Sequence, residues 1–338
     1  MVSLKDIAAA CGVSAATVSK ALNDMPDISV HKKELIRDKA KEMGYFPNLA
    51  ARTLKTNRSY NIGILFTDET NSGLTHPHFA SVLESFKAEA ESKGYDITFI
   101  NNSSMAGNTQ MTYYEHCKYR GVDGVMIACI EFDRPEVMEL INSDIRTVTI
   151  DQIYQNTSSV ISDNIKGMRD LMEYILNMGH RRVAYIHGNN SAVTKDRLTS
   201  FYRIMEEWGI PVQEEYVIEG KYNDPEKCSL ITERLLSLSV PPTCIIYPDD
   251  YASIGGINAI KRAGLRIPED ISVAGYDGIP VMRVMEPVLT TVCQDADTLG
   301  RKAASQLIKM IEKPKTTFLK IQTIPSKLCK GSTIKKLK

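Results

Sequence analysis

Apolar residues recur at helical spacing from the start of the chain. Leu4, Ile7 and Ala8 share one face of a first short helix; Val18, Ala21 and Leu22 share one face of a second. Ser3, with Asp6 three residues on, reads as a capping box for the first. Cys11-Gly12-Val13-Ser14 interrupts the period: Gly12 suits a tight turn, and Ser14 is the N-cap of a helix beginning at Ala15. Two short helices joined by a Gly-containing turn make a helix-turn-helix. A third amphipathic helix is expected from about Val30 to Met43, capped by Ser29 and stopped by Gly44, with Leu35, Ile36, Ala40 and Met43 inward. Pro47-Asn48 then opens a helix from about Leu49 to Lys55. Helices under ~12–15 residues are marginal alone, so this one is expected to fold only against a second copy and its ligand.

Beyond Asn61 the period alternates between strand and helix. Strands are expected at Ile62–Phe66, Tyr95–Ile100, Gly124–Ile130, Val183–Ile186, near Val217, Thr243–Tyr247 and Ile271–Tyr276. Helices fall between them at Pro77–Lys93, about Thr109–Arg120, Asn164–Met178, about Lys195–Trp208, up to Leu238 and up to Ala263. Such spacing implies parallel sheets with helices on both faces. The strands are too many for one compact sheet, so the fold class is α/β: an all-α helix-turn-helix head and two doubly wound parallel-sheet subdomains. The domains are expected as a head over 1–46, a hinge helix and linker over 47–60, and a core over 61–338.

Composition narrows the class. Of 338 residues, 43% are hydrophobic and 24% charged, ordinary for a globular protein. The longest near-apolar run, Val125–Ile130, is far short of the ~20 residues of a membrane span. No basic-then-apolar leader is read at the start, so the expected location is the cytoplasm, without a membrane partner. The zero net charge conceals an asymmetry: residues 1–60 net +4, 61–312 net −12 and 313–338 net +8. A basic head on an acidic body points the head toward a polyanion. The seven cysteines, Cys11, Cys117, Cys129, Cys228, Cys244, Cys293 and Cys329, are scattered without a Cys-x-x-Cys pair, so free thiols are expected rather than disulfides or zinc. Walker, Gly-x-Gly-x-x-Gly, Gly-x-Ser-x-Gly and His-Glu-x-x-His patterns are missing from the sequence. No catalytic residues, metal or cofactor are assigned.

The second helix of a helix-turn-helix enters the major groove of double-stranded DNA. Its base-facing candidates are Ala15, Ala16 and, one turn on, Lys20, a donor for guanine. Ser14, Thr17, Ser19 and Asn23 suit phosphate oxygens. In the body, ligands of open α/β sheets bind beyond the carboxyl ends of the strands. That rule selects His76, His78 and Phe79, then Glu131 and Phe132, Asp151, Asp163, the 187–197 loop ending in Arg197, Tyr222, Asp249-Asp250 and Asp277. Carboxylates, one arginine and aromatic rings suit the hydroxyls and face of a sugar.

Leu4-Lys5-Asp6-Ile7-Ala8 through Val18-Ser19-Lys20-Ala21-Leu22-Asn23 resembles the DNA-binding head of the lactose-repressor and galactose-repressor family. Tyr45-Phe46-Pro47-Asn48 and Ala50–Lys55 resemble its hinge. Gly179-His180, Arg197–Phe201, Asp249-Asp250-x-Ala252, Ile271–Asp277 and Ile321–Thr333 extend the resemblance over nearly the whole chain. It implies a regulator, expected to be a repressor acting at a pseudo-palindromic operator, that works as a homodimer and whose two core subdomains are of periplasmic-binding-protein type. Ser3, Leu4, Ser29, Tyr45, Asn48, Ala51, Leu54 and Lys55 join the DNA contacts, with Leu54 as a minor-groove wedge. The resemblance also implies a core that crosses three times between an N-subdomain (about 61–161 and 292–323) and a C-subdomain (about 162–291 and 324–338). Arg197, Asp249 and Asp277 become effector contacts, with Tyr222 at an aromatic position. Two departures stand out: many members carry Arg where Lys20 stands, and Asn is commoner than Asp249.

The effector expected is a small molecule, a sugar first. A purine effector or a phosphoprotein co-repressor is the alternative within the family. Purine-responsive members carry Arg and Thr before the position of Arg197, where Ser191 and Val193 stand here. A sugar-binding transport protein or an enzyme is the alternative of another class; residues 1–60 speak against the first, and two adjacent carboxylates cannot flank one glycosidic bond.

Overall fold

The computed structural model describes residues 2–46, 53, 56, 58–67, 73–102 and 111–337. The candidates Asn48, Ala51, Leu54 and Lys55, and with them the hinge helix, lie outside the described residues. The chain divides into two compact units, Met1–Ser59 and Tyr60–Lys338.

The first unit contains α1 (Leu4–Cys11), α2 (Ala15–Leu22) and α3 (Val30–Glu42). Ser3 and Asp6 form the reciprocal capping box, and Gly12 ends α1 with φ 64°, a conformation that favours glycine. Ile7, Ala8, Val18, Ala21, Ile36 and Ala40 make the core. Two expectations are corrected. Ser29 makes no side-chain capping bond to α3. Leu35 is 49% exposed, because the inward stripe of α3 follows Ile36 and Ala40, one turn apart, and leaves the adjacent position outside.

The second unit is built on two six-stranded sheets. The first contains β1 (Asn61–Phe66), β2 (Asp96–Ile100), β3 (Gly124–Ala128), β4 (Arg146–Ile150), β5 (Ser158–Ser162) and β11 (Ile321–Ile324), in the order β11-β5-β4-β3-β1-β2, all parallel. The helices α4 (Pro77–Ser92) and α11 (Ala296–Glu312) cover one face; α5 (Tyr113–Arg120) and α6 (Pro135–Ile141) cover the other. In β3, Met126 and Ala128 face the first pair of helices while Val125 and Ile127 face the second. A strand buried on both faces therefore reads as one continuous apolar run.

The second sheet contains β6 (Val183–His187), β7 (Val217–Glu219), β8 (Cys244–Ile246), β9 (Ser272–Asp277), β10 (Thr290–Cys293) and β12 (Lys327–Cys329), ordered β12-β10-β9-β8-β6-β7. Only the β10–β12 pair in it is antiparallel. α7 (Asn164–Asn177) and α8 (Ala192–Glu207) lie on one face, α9 (Pro225–Leu236) and α10 (Asp250–Arg262) on the other. The chain passes between the sheets after β5, after β10 and between β11 and β12.

The expectation that every cysteine is free is also corrected. Cys293 and Cys329 are joined as a disulfide, with Cα atoms 5.9 Å apart; the other five remain thiols. The pair is 36 positions apart in sequence, and the β10–β12 ladder brings them together.

Candidate functional site

A cavity of ≈ 160 Å³ opens where the carboxyl ends of the two sheets face each other. His76, His78 and Phe79 enter it from the start of α4, Cys129, Ile130 and Phe132 from beyond β3, and Asp151 and Gln152 from beyond β4. Opposite them stand Ser191 and Arg197 of the β6–α8 segment, Lys221 and Tyr222 beyond β7, Asp249 beyond β8, Asp277 at the end of β9 and Gln294 beyond β10. Cys129, Asp151 and Asp277 adopt positive φ, 52°, 57° and 108°. Non-glycine residues rarely do so, and such backbone clusters at ligand sites.

Arg197 is the buried centre of this wall, 3% exposed. Its Nε donates to Asn164 Oδ1 at 2.9 Å and its Nη1 to the Pro248 carbonyl at 3.0 Å. The guanidinium lies 3.4 Å from the Tyr276 ring centroid and 5.8 Å from that of Tyr222, a desolvated cation–π stack. Tyr222 is held by a 2.8 Å hydrogen bond between its hydroxyl and Thr194. It packs so close to Gly188 that a Cβ there would lie 2.0 Å from its ring.

The carboxylates divide the labour. Asp249 caps α10, accepting from Ala252 N and Asn223 N at 2.7 Å each. Asp250 accepts from Gly278 N, Ile279 N and Thr291 Oγ1, and so anchors the turn after β9. Asp277 accepts from Gln294 Nε2 at 2.6 Å, and Asp151 from Ser162 N at 2.9 Å. Burial, with the nearby Asp277 charge, raises Asp249 above the usual carboxylate range. Burial raises Asp277 too, against the opposing pull of Arg197 and His76. It raises Asp151 against the Ser162 bond, His78 and Arg197. Burial also depresses His78 to about 4, so its imidazole is neutral. Its Nε2 and the Gln294 Oε1 are buried at the cavity wall without a hydrogen-bond partner. A bound molecule would satisfy both.

Seven of the nine effector candidates, His76, Phe79, Asp151, Arg197, Tyr222, Asp249 and Asp277, line this cavity. Two do not. Glu131 turns outward and pairs with Arg134 three residues on. Asp163 caps α7, accepting from Lys166 N at 3.0 Å. Both follow a strand, but that position does not decide which way a side chain points. Gln294, Lys221 and Asn164 are outside the sequence-based candidates; Gln294 follows β10, a strand of Thr-Thr-Val-Cys whose hydroxyls mask its apolar pattern. Among the described residues, no cluster of three or more His, Cys, Asp or Glu could hold a metal ion.

In the first unit, Ser3, Ser14, Ala16, Lys20, Asn23 and Ser29 are exposed, while Leu4, Ala15, Thr17, Ser19 and Tyr45 are half-buried. Ser14 caps α2 through Thr17 N at 3.1 Å, and its hydroxyl also bonds that of Thr17. Asn23 Nδ2 donates back to the Ser19 carbonyl. Lys20, the expected base reader, forms an exposed ion pair with Asp27.

Residues 3–48 match the profile of bacterial regulatory proteins of the lacI family, and residues 172–334 that of a periplasmic binding protein-like domain. The probable HTH-type transcriptional repressor ExuR of Bacillus subtilis is 31% identical over 325 residues, 95% of each chain. The chain belongs to the lacI family. The HTH-type transcriptional repressor PurR of Pectobacterium carotovorum is 31% identical over 317 residues, 92% of this chain and 91% of that one. As a lacI-family member this chain is a DNA-binding transcriptional regulator, not an enzyme. The lac repressor dimer bound to operator and the anti-inducer ONPF shares its fold, with a TM-score of 0.80 at 24% identity over 99% of both chains. So does the regulator CelR in complex with cellobiose, with a TM-score of 0.71 at 22% identity over 98% of this chain and all of that one. No helix among the described residues is long and apolar enough to cross a membrane.

Proposed function

We propose that this regulator is a cytoplasmic, homodimeric repressor whose affinity for a pseudo-palindromic operator is set by one sugar ring bound in the cleft. The observation that carries the reading is the cavity itself: one stacked arginine, three raised carboxylates and two unpartnered polar atoms around ≈ 160 Å³. A cavity of ~150 Å³ holds one benzene-sized ring. The size favours a single sugar, as in the ribose complex of an Enterococcus faecium lacI-family regulator, over a disaccharide. Carboxylates accept from ring hydroxyls; His78 Nε2 and Gln294 Oε1 orient them.

Asp151 and His78 sit on the first sheet's side, Arg197 and Asp277 on the second's. A ligand touching both favours the closed pose by its differential affinity, and that difference alone can be passed to the DNA. At the DNA, Ser3, Leu4, Ser14, Thr17, Ser19, Asn23, Ser29, Tyr45 and Asn48 position the head on the backbone. Ala15, Ala16 and Lys20 read bases, and Ala51, Leu54 and Lys55 enter the minor groove. The exposed apolar Leu230, Tyr251, Val281 and Val284 of the second unit support the dimer.

Thermal unfolding of the full chain against monosaccharides, uronates, sugar phosphates and purines tests the proposal, with Asp277→Asn as control. A ligand at ~100 times its Kd stabilises by about 2.7 kcal/mol. A sugar that shifts the wild type and not Asp277→Asn supports the reading. A shift by a purine alone replaces the sugar, and equal shifts in both proteins remove the cleft from the argument.

A further inference from the structure

We propose that Cys293 and Cys329 form a reversible redox site that clamps the two strands on which the later crossovers are anchored. The pair lies on β10 and β12, whose antiparallel ladder places Lys327 opposite Cys293 and Thr291 opposite Cys329. The Cα separation of 5.9 Å falls within the ~4.4–6.8 Å that a disulfide spans. Both residues are half-buried, so small oxidants and reductants reach them. In sequence Lys327 and Lys330 flank Cys329, and Arg283 Nη1 lies 3.5 Å from its carbonyl oxygen. The thiolate is the reactive form of a cysteine. Five other cysteines remain thiols, and disulfides in otherwise thiol-bearing intracellular proteins are commonly transient and redox-sensing.

The position gives the bond its consequence. Cys293 is the last residue of β10, and the chain leaves for the first sheet directly after it. β12, an edge strand of three residues, receives the chain back from that sheet. Cys293 is also in register with Asp277, and a Cβ on Gly278 would lie 2.6 Å from its Sγ. The next residue, Gln294, donates to Asp277. Oxidation thus staples the edge strand to the strand beneath the cavity wall, and reduction leaves β12 to its short ladder.

With hydrogen peroxide as oxidant, the Cys329 thiolate attacks one peroxide oxygen, giving a sulfenic acid and hydroxide. The Cys293 thiolate then attacks the sulfenic sulfur, forms the S–S bond and expels the second hydroxide. The two thiol protons convert both hydroxides to water, and two electrons pass from the sulfurs to the peroxide. A dithiol reverses the bond by exchange.

The full chain, reduced with dithiothreitol and then treated with one equivalent of peroxide, is mapped by differential alkylation and hydrogen exchange. The expected result is one peptide pair, Cys293 with Cys329, restored to thiols by dithiothreitol under native conditions. Exchange over 277–279 and 327–331 is expected to be at least about tenfold slower in the oxidised form. Cys293→Ser and Cys329→Ser should each abolish both the bond and the slowing. Alkylation of both thiols after peroxide overturns the proposal, as does a bond that survives dithiothreitol in the native chain. Equal exchange in the two forms overturns the clamp.

Discussion

Replacing Arg197 by alanine should unsettle the second unit before any ligand is added. The change strands two buried acceptors, Asn164 Oδ1 and the Pro248 carbonyl, each worth about 1–3 kcal/mol when left unpaired. It also removes the stack on Tyr276, worth about 2 kcal/mol when desolvated. Relief of the guanidinium's own desolvation offsets part of this, leaving a loss of about 4 kcal/mol, typical of removing one member of a buried charged cluster. The loss should grow with pH. Asp151, Asp249 and Asp277 already titrate above their unfolded values, and Arg197 opposes each of those shifts. A carboxylate raised in the native state holds a proton that the unfolded chain releases. Stability therefore falls as pH climbs from the unfolded value of ~4 through the raised one. Without Arg197 that window extends upward. Trp208, the chain's one tryptophan, stands at the end of α8 and reports on this unit alone. Urea unfolding followed by its fluorescence at pH 5 and pH 8, for wild type, Arg197→Ala and Arg197→Lys, measures the difference. Lysine keeps the charge but lacks the planar fork, so it should fall between. A deficit for alanine under about 1 kcal/mol, or one independent of pH, would show that Arg197 does not organise the cleft.

Gly255→Ala sets a Cβ 1.7 Å from the Pro225 carbonyl oxygen, forcing α9 and α10 apart; about 3 kcal/mol of stability should go, and an unchanged urea midpoint would refute that crossing. His78, held near 4 against ~6.5 unfolded, makes stability drain away as pH falls from about 6.5 to 4; His78→Gln should flatten that part of the wild-type profile, and identical acid slopes would count against a neutral buried ring. Asp27→Asn frees Lys20 from an exposed, solvent-screened ion pair. With that negative charge gone, affinity for random duplex DNA should rise up to about fivefold, while Lys20→Ala should weaken operator binding about tenfold and relax the preference at one base pair; anisotropy titrations on operator and random duplexes decide it, and equal losses on both would remove Lys20 from base reading.

The alternating strands and helices of the core were legible wherever both faces of a strand are apolar, as in β1, β3 and β9. β4 and β5 escaped because hydroxyls replace hydrocarbon in them. Thr149 bonds Ser159 at 2.8 Å, and Ser158 accepts from Gln306 at 3.1 Å, so the residues are buried yet look polar in the sequence. In the cleft, the strand-end rule found the right loops but not the directions of their side chains. It therefore included Glu131 and Asp163, and passed over Gln294, whose strand had not been recognised. The adjacent Asp249 and Asp250 looked equivalent; only the structure separates the cap at the cavity wall from the anchor behind it.

The order in which the two sheets take their strands also sets a timetable for synthesis. The first unit is one continuous stretch, ended by Ser59, whereas each sheet of the second takes an edge strand from residues 321–329. At a synthesis rate of ~5–20 residues per second, those last strands emerge on the order of tens of seconds after the head. Every nascent copy thus passes through a stage with a complete head and two unfinished lobes. During that interval the growing chain already presents its DNA-reading surface, while the part that would govern it has yet to be assembled.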